Sequence, residues 1–315
     1  MIKNVFAVSL VTCVCSVMLP NQAFAAVLYN AGSLGNALKE VSSNFTQTTG
    51  IPVTQVSGPS GSIRERIEKE LNEGASTDVF ASADIGNPQQ LYDKGLSEPV
   101  VNFIDNRLVA IVKPGLSVTS GNLLDYLLNP SIKLGTSTPI KDPSGDYAQE
   151  IFRKADNIKP GDYDILNNKA LQLVGGNPNA PIIPDGKNSL VYFLKETEQA
   201  DVFLAYYTSG IAALSIASDL QIVELPDNLA VRAKYGLTVL KNASPDGDKL
   251  AKYILSPDGQ KVLLNYGFTS AEKSTSVPEP QGVGGLVLAM SVAFALQKKL
   301  VTDKKQQVKV TVSKV

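Results

Sequence analysis

Apolar residues from position 26 to about 272 alternate between short runs and helical spacing. The run 27–29 is typical of a strand, and the apolar positions after it follow one face of a helix that Gly50 is predicted to end. These positions are Leu34, Ala37, Leu38, Val41 and Phe45. The segment 51–56 is predicted to be the next strand, and a second helix is predicted to open at 58–62.

The same alternation continues to the end of this region. Further strands are predicted at 79–81, 108–112, 132–135, 202–206, 220–225 and 236–240. Two late helices are predicted at 247–255 and 258–266. Because strands and helices follow one another in this way, we expect an α/β fold with parallel sheets and right-handed crossovers.

The first 25 residues have the pattern of an export signal. Lys3 precedes an apolar stretch from Val5 to Leu19, and the segment closes on Ala23-Phe24-Ala25. A positive start, a short apolar run and an A-x-A ending are typical of a secretory signal peptide. We therefore predict that 1–25 is cleaved and that the protein is exported to the periplasm or the cell envelope.

The chain changes character after residue 272. Residues 273–281 form a linker that contains Val277-Pro278-Glu279-Pro280, and an apolar stretch with a basic cluster follows at 282–299. A bilayer span needs about 20 apolar residues, so this stretch is a marginal span. The order of Val-Pro-Glu-Pro, apolar stretch and basic cluster resembles the PEP-CTERM sorting signal of bacterial envelope proteins. That resemblance implies an exosortase-type processing enzyme as a partner and attachment to the membrane through the tail. The alternative is an exposed linker with an interfacial helix, and 300–315 is a polar extension.

Composition narrows the functional classes. The 315 residues carry a formal net charge of −1, so the chain lacks the basic surface by which a general nucleic-acid binder displaces counterions. It contains no histidine, which excludes Ser-His-Asp and Cys-His catalysis and histidine-ligated metals. Both cysteines, Cys13 and Cys15, lie in the predicted leader, so the exported protein would have no thiol. We expect no cofactor and no directly bound metal.

Serines recur where predicted strands pass into helices. Ser33 precedes the first helix, Ser60 and Ser62 precede the second, and Ser144 follows Asp142-Pro143. One explanation is ordinary capping, in which the serine oxygen accepts an orphan backbone N–H. The other is an anion site, because ligands of open α/β sheets bind at the carboxyl ends of strands, where helix N-termini supply N–H groups and positive potential.

Seven segments, in order between 27 and about 269, resemble the periplasmic molybdate-binding proteins of ABC transporters, which belong to the type 2 solute-binding superfamily. The segments are 31–34, 57–63, 74–84, 141–148, 186–188, 200–206 and 260–268. No single motif decides the match, because the ordered series carries it.

This resemblance implies a two-lobed α/β fold of the type 2 periplasmic-binding-protein class, with the ligand in the cleft between the lobes. Lobe I is predicted at 26–109 plus 240–272 and lobe II at 110–239, with crossovers in the strands near 107–112 and 236–241. The ligand would touch both lobes only when they close, so binding would select the closed state.

The resemblance also implies five positions that donate hydrogen bonds to a tetrahedral oxyanion. They are Ser33, Ser60, the backbone N–H of Ser144, Asn188 and Tyr206. Tyr207 competes with Tyr206 if the strand register shifts by one residue, and Ser62 competes with Ser60. Whether the side chains of Ser144 and Asn188 contact the ligand is left open by the sequence.

Neutral donors of this kind suit a dianion that carries no proton. Amide and hydroxyl dipoles are stronger in a water-poor cleft than in bulk water, and they need no reorganisation. A carboxylate in the site would instead favour a ligand with a proton, such as hydrogen phosphate. No acid occupies the five matched positions, but Asp142 and Asp146 lie near Ser144.

The sequence therefore predicts a binding protein, not an enzyme, that captures molybdate or tungstate and delivers it to the permease of an ABC importer. We expect a monomer with no nucleic-acid partner. One alternative is a binding module for another oxyanion, such as sulfate, that acts as a membrane-tethered sensor. A serine–lysine hydrolase is a further alternative, because Ser270-Ala271-Glu272-Lys273 fits S-x-x-K, although no K-T-G or S-D-N motif accompanies it.

Overall fold

The computed structural model describes residues 25–271. The strands in this part of the chain are β1 (Ala26–Ala31), β2 (Val53–Gly58), β3 (Val79–Ser82), β4 (Val101–Val112), β5 (Leu134–Ser137), β6 (Leu171–Val174), β7 (Val202–Tyr206), β8 (Gln221–Glu224) and β9 (Arg232–Val239). The predicted signal peptide, apart from Ala25, and the predicted tail from residue 272 onward lie outside the described residues.

Helices connect most of these strands. They are α1 (Gly35–Thr49), α2 (Ser60–Asn72), α3 (Gly86–Asp93), α4 (Leu123–Leu128), α5 (Pro143–Ile158), α6 (Asp162–Lys169), α7 (Ser189–Val191), α8 (Tyr207–Leu214), α9 (Pro245–Leu255) and α10 (Pro257–Asn265). A 3₁₀ turn, Gly32–Leu34, leads into α1, and a π-helical segment, Tyr192–Glu196, continues α7.

The first helix forms where the apolar spacing predicts it. Leu38, Val41 and Phe45 repeat three and four positions apart, and all three are buried. Gly50 ends the helix with φ 74°, a left-handed conformation that glycine adopts without steric cost. Its N–H donates to the Thr46 carbonyl at 2.8 Å, and the chain then enters β2 alongside β1.

The sheet formed by the described strands is mixed, which corrects the expectation of parallel sheets. Its order is β2-β1-β3-β9-β4-β7-β5-β6, and β8 pairs with β4. β1 is parallel to β2 and β3, and β5 is parallel to β6 and β7. β4 is antiparallel to β7, β8 and β9, and β9 is antiparallel to β3. Apolar periodicity identifies a strand but not its direction, since direction depends on the route of each connection.

β4 belongs to both halves of the sheet. As far as Arg107 it pairs with β9, and from Leu108 it pairs with β7 and β8. β9 lies with the first half along its whole length, beginning at Arg232. The chain thus passes into the second half within β4 and returns between β8 and β9. The lobe limits proposed from the sequence, 109/110 and 239/240, remain predictions.

Apolar side chains form a continuous core across the joint between the halves. The largest cluster combines buried Phe45 of the first half, Phe152 of the second half and Tyr235 of β9. A second cluster in the second half surrounds Phe193 and Phe203. Since close-packed interiors hold their elements in fixed positions, this core fixes where the parallel strands of the two halves end.

Candidate functional site

The carboxyl ends of the parallel strands from both halves surround one cleft of about 440 Å³. Ligands of open α/β sheets bind at such ends, because side chains and helix N-termini converge there. The first half contributes the ends of β1, β2 and β3, and the second half those of β5, β6 and β7. The residues at these ends that line the cleft are Ala31, Gly58, Ala83, Ser137, Val174 and Tyr206.

Two long helices begin at the cleft. α2 begins at Ser60 directly after β2, and α5 begins at Pro143 after β5. The first N–H groups of a helix have no partner within the helix and carry a positive partial charge, which favours a nearby anion. Ser60 and Ser144 lie in these first turns, and both are buried. The first turns of two helices therefore direct positive partial charge toward the cleft.

The five residues identified from the sequence all line this cleft. Ser33 lies in the 3₁₀ turn after β1, and its hydroxyl is 2.8 Å from the hydroxyl of Tyr235 in β9. Asn106 of β4 donates to the same tyrosine hydroxyl at 3.2 Å. Tyr235 of β9, itself bonded by Asn106 of β4, therefore holds Ser33 in place.

Ser60 is 1% exposed at the cleft wall. Its Oγ accepts a hydrogen bond at 3.1 Å from the N–H of Ala83, the residue directly after β3. Because this oxygen already accepts, its own proton remains for an acceptor in the cleft. The competing serine on the same helix, Ser62, is not among the described residues that line the cleft.

Ser144 lines the cleft, but its backbone N–H is already bonded within the protein. The carboxylate of Asp142 accepts this N–H at 3.0 Å and so caps α5. The N–H that the resemblance assigns to the ligand thus points to a side chain of the protein. An anion at this position would compete with Asp142 or use the Ser144 hydroxyl instead.

Asp142 brings a carboxylate to the cleft wall. Its second oxygen accepts from the Ser137 hydroxyl at 2.5 Å. Burial raises the pKa of Asp142 above its ordinary value, although the hydrogen bonds from Ser137 and from the Ser144 N–H oppose the rise. Asp146 differs in position, because it lies outside the cleft wall and accepts from the Ile140 N–H at 2.9 Å, although burial raises its pKa as well. The sequence placed both acids near the site without showing which one faces it.

Asn188 lines the cleft at the start of α7. Its Oδ1 accepts from the N–H groups of Leu190 and Val191 at 3.0 and 3.2 Å. The oxygen therefore caps the helix, and the Nδ2 group is the part of this side chain that can donate to a ligand. The neighbouring Lys187 also lines the cleft, and Glu196 pairs with its ammonium at 2.9 Å.

Tyr206, at the end of β7, is 4% exposed, and its buried hydroxyl has no hydrogen-bond partner within residues 25–271. Its ring packs against Tyr235 and Tyr147, with centroids 5.6 and 6.4 Å away. Burial raises the pKa of Tyr206 well above its ordinary value, so the hydroxyl stays protonated and can donate. A buried hydroxyl without a partner costs free energy, which an acceptor in the cleft would recover.

Tyr207 has a different environment. Its ring lies against the guanidinium of Arg107, 3.5 Å from the ring centroid, and Arg107 also makes a bidentate pair with Glu224. Of the two adjacent tyrosines, Tyr206 is the one that lines the cleft. Tyr206 ends β7 and Tyr207 begins α8, and the two rings lie in different surroundings.

The two halves touch at the edge of the cleft. The N–H of Gly61 in α2 donates to the Lys141 carbonyl at 2.9 Å, and the Lys141 ammonium lies 2.7 Å from Glu65. A Cβ at position 61 would lie 2.4 Å from the Ile140 carbonyl oxygen, so only glycine permits this approach. The contact joins the start of α2 to the turn before α5.

Other polar groups around the cleft lay in no matched segment. They include Asn36, Ser137, Ser189, Thr208 and Ser209. Tyr235 lies behind Ser33 rather than in the wall of the cleft. Alternation along 232–239 could have placed Tyr235 on an inward face, but strand pattern alone does not reveal which residue it meets.

The structure bears on two other kinds of site. Among residues 25–271, no group of three or more acidic or cysteine side chains is placed to hold a metal ion. Helices in this range are all too short or too polar to cross a membrane. The S-x-x-K pattern begins at the exposed Ser270 and continues beyond the last described residue.

Comparison with known proteins identifies relatives of this chain. An uncharacterised protein of Pasteurella multocida is 34% identical over 216 residues, which are 68% of this chain and 86% of that one. The molybdate-binding protein ModA of Escherichia coli K12 is 25% identical over 251 residues, with 77% of this chain and 88% of that protein covered.

The fold has solved counterparts. The periplasmic molybdate-binding protein of Azotobacter vinelandii matches with a TM-score of 0.61 at 17% identity, over 78% of this chain and all of that one. The predicted two-lobed α/β periplasmic-binding-protein fold is therefore confirmed. A family model described as bacterial extracellular solute-binding protein matches residues 26–269. The chain thus belongs to the family of bacterial extracellular solute-binding proteins.

Proposed function

We propose that this protein captures molybdate or tungstate outside the cytoplasm and delivers it to the permease of an ABC importer. Membership of the solute-binding family supports capture and delivery rather than catalysis. The observation that carries the ligand class is the buried Tyr206 hydroxyl, a donor at the cleft wall without an acceptor in the described chain. The similarity to the E. coli molybdate-binding protein supports molybdate within the class of oxyanions.

Donors from both halves would contact one anion. Ser33 and Ser60 belong to the first half, and Tyr206 and Asn188 to the second. Each hydrogen bond to a charged group contributes roughly 1.5–3 kcal/mol, so several of them support tight binding after the cost of association. An anion that bridges the halves would also favour the closed arrangement, because both sets of donors reach it only there.

The proposed ligand is an oxyanion without a proton. Hydroxyl and amide donors satisfy an oxygen that carries only lone pairs, whereas a protonated oxygen needs an acceptor in the site. Among the described residues Asp142 is the carboxylate that lines the cleft, and each of its oxygens already accepts a hydrogen bond, from Ser137 and from Ser144. This leaves Asp142 less able to accept a proton from hydrogen phosphate.

Isothermal titration of the purified protein with molybdate, tungstate, sulfate and hydrogen phosphate tests the proposal. Submicromolar binding of molybdate or tungstate with weak binding of sulfate is the expected result. Preference for sulfate would assign the cleft to another oxyanion. Absence of heat with all four anions would overturn the proposed ligand class. Uptake of molybdate by cells with and without the permease then tests delivery, since a tethered sensor would not change uptake.

A further inference from the structure

A chain of hydrogen bonds leads from the joint between the halves to Ser33. Asn106 of β4 is 2% exposed, and its Oδ1 accepts from the N–H of Arg107 at 2.9 Å. Because a backbone N–H can only donate, this contact fixes the orientation of the amide. The Nδ2 group must then donate to its two neighbours, the hydroxyls of Thr208 at 2.9 Å and Tyr235 at 3.2 Å.

The Tyr235 oxygen accepts from Asn106, which leaves the tyrosine's own proton to be donated, and Ser33 Oγ lies within reach of that proton at 2.8 Å. The direction assigned to this second bond is therefore from Tyr235 to Ser33. Tyr235 is fully buried, and burial raises the pKa of its hydroxyl, so the proton stays on this group. With its oxygen accepting from Tyr235, Ser33 has its own proton available for the cleft that it lines.

We infer that Tyr235 and Asn106 are positioning residues that hold the Ser33 hydroxyl as a donor toward the ligand. The inference rests on the proposed function, namely an oxyanion bound in the cleft. It also makes these two residues determinants of specificity. An oxygen without a proton is favoured at Ser33, and an oxygen that carries a proton is disfavoured. Without the Tyr235 hydroxyl, Ser33 could rotate and accept a hydrogen bond as well as donate one.

The test is a double-mutant cycle on the purified full-length chain, with Tyr235→Phe, Ser33→Ala and the combined variant. Affinities for molybdate and for hydrogen phosphate are measured by calorimetry. Tyr235→Phe is expected to weaken molybdate binding about three- to tenfold, the value of one hydrogen bond. The combined variant should bind no more weakly than Ser33→Ala alone, because Tyr235 acts through Ser33. The ratio of molybdate affinity to hydrogen phosphate affinity should also fall in Tyr235→Phe.

Tyr163→Phe is the matched control, because it removes a tyrosine hydroxyl that bonds to Gln149 at 2.7 Å and does not line the cleft. This variant should bind as the wild type does. The inference would be overturned if Tyr235→Phe kept its affinity, or if the losses in the combined variant were additive. In either case, binding of molybdate by the wild type would still uphold the proposed function. No binding of either anion by the wild type would overturn both.

A second variant covers the case in which Tyr235→Phe does not fold. Asn106→Asp keeps the acceptor for the Arg107 N–H but replaces the donating group with an acceptor. Tyr235 would then donate to the introduced carboxylate and accept from Ser33, which turns the serine proton away from the cleft. Asn106→Asp should weaken molybdate binding more in a protein that retains Ser33 than in one that carries Ser33→Ala. Equal losses in the two backgrounds would contradict the inference.

Discussion

At the scale of single residues, the cleft offers hydroxyl protons, and Lys187, the lysine that lines it, is paired with Glu196. The Ser60 oxygen accepts from the Ala83 N–H, and in the direction inferred above the Ser33 oxygen accepts from Tyr235, so each serine keeps its proton for a ligand. Tyr206 also keeps its proton for a ligand, because its hydroxyl is buried and has no partner within the described residues. These fixed dipoles need no rearrangement when an anion enters, which suits rapid capture and release.

Tyr206→Phe should therefore weaken binding of molybdate by about 10- to 150-fold, the value of one hydrogen bond to a charged group. Stability of the unliganded protein should not fall, because the variant removes a hydroxyl that has no partner in the described chain. Calorimetry and thermal melting measure the two effects. Tyr207→Phe is the control, since that ring lies against Arg107 outside the cleft. Equal affinities of Tyr206→Phe and the wild type would remove Tyr206 from the site.

Asp142 should make anion binding depend on pH. Burial raises its pKa, so ionisation is less favourable in the folded state than in the unfolded state. The stability that this group contributes is present below its unfolded pKa and is lost as pH rises through its folded pKa. Above that pKa the negative charge also opposes an anion in the cleft.

Asp142→Asn should consequently bind molybdate more tightly than the wild type, by roughly tenfold at neutral pH. Its amide can still accept from the Ser144 N–H and can donate to Ser137. Affinities and melting temperatures of both proteins, measured from about pH 4 to about pH 8, should diverge as pH rises. The control for affinity is Asp146→Asn, since that carboxylate does not line the cleft. Burial raises the pKa of Asp146 as well, so the melting temperature of this control should also depend on pH. A constant ratio of affinities across this range would contradict the prediction.

At the scale of elements, periodicity predicted those helices and strands that have one clear apolar face. The strand at 202–206 occurs as predicted, and α1 and its glycine end were correct. α5 was missed as an element although the signal was present. Ala148, Ile151 and Phe152 are buried at helical spacing behind Pro143 at the first position.

Other features of the structure had no signal in the nearby sequence. β6 is a short edge strand whose first two residues, Leu171 and Gln172, are exposed, so no alternation marks it. The pairing of Asn106 with Tyr235, and the capping of Ser144 by Asp142, depend on where distant strands and helices meet. The order of the matched segments was enough to predict that the five residues share one cleft. It could not predict the hydrogen bonds that their polar atoms already make, because these bonds depend on tertiary packing.

Gly61→Ala should oppose closure of the two halves without destabilising the fold. The three nearest atoms to a Cβ at position 61 all belong to Ile140 and Lys141 in the second half. The methyl group would therefore oppose the contact between the halves, whereas alanine is about 1 kcal/mol better than glycine within a helix. We expect molybdate binding weakened at least tenfold, with the thermal stability of the unliganded protein retained. Small-angle X-ray scattering should show less compaction on adding molybdate than in the wild type.

Gly74→Ala is not a suitable control for that experiment, because Gly74 has φ 77° and alanine would be strained there. Lys141→Met is better matched, since it removes the ion pair with Glu65 but leaves the backbone contact with Gly61. Exposed ion pairs contribute little, so this variant should lose less than about threefold in affinity. Gly61→Ala with unchanged affinity and unchanged compaction would show that the contact does not limit closure.

At the scale of the whole molecule, one compact body carries the cleft and both strands that join its halves. The body ends at Ala271, and the backbone of Thr269 exchanges two hydrogen bonds with Asp105 of β4, at 2.8 and 2.9 Å. Phe268 is buried in the core beside Tyr235, with ring centroids 5.5 Å apart. The end of the body thus packs on the joint that positions Ser33.

A chain truncated after Ala271 should consequently bind molybdate with the affinity of the full-length chain and melt at the same temperature, because the contacts of Phe268 and Thr269 remain. Truncation after Gly267 is the contrasting variant, since it removes both residues and exposes the core around Tyr235. It should melt at a lower temperature and bind more weakly. Calorimetry and thermal melting of the three proteins measure this. Weaker binding by the chain that ends at Ala271 would show that residues beyond it contribute to the site, and fractionation of cells expressing each chain tests separately whether those residues attach the protein to the membrane.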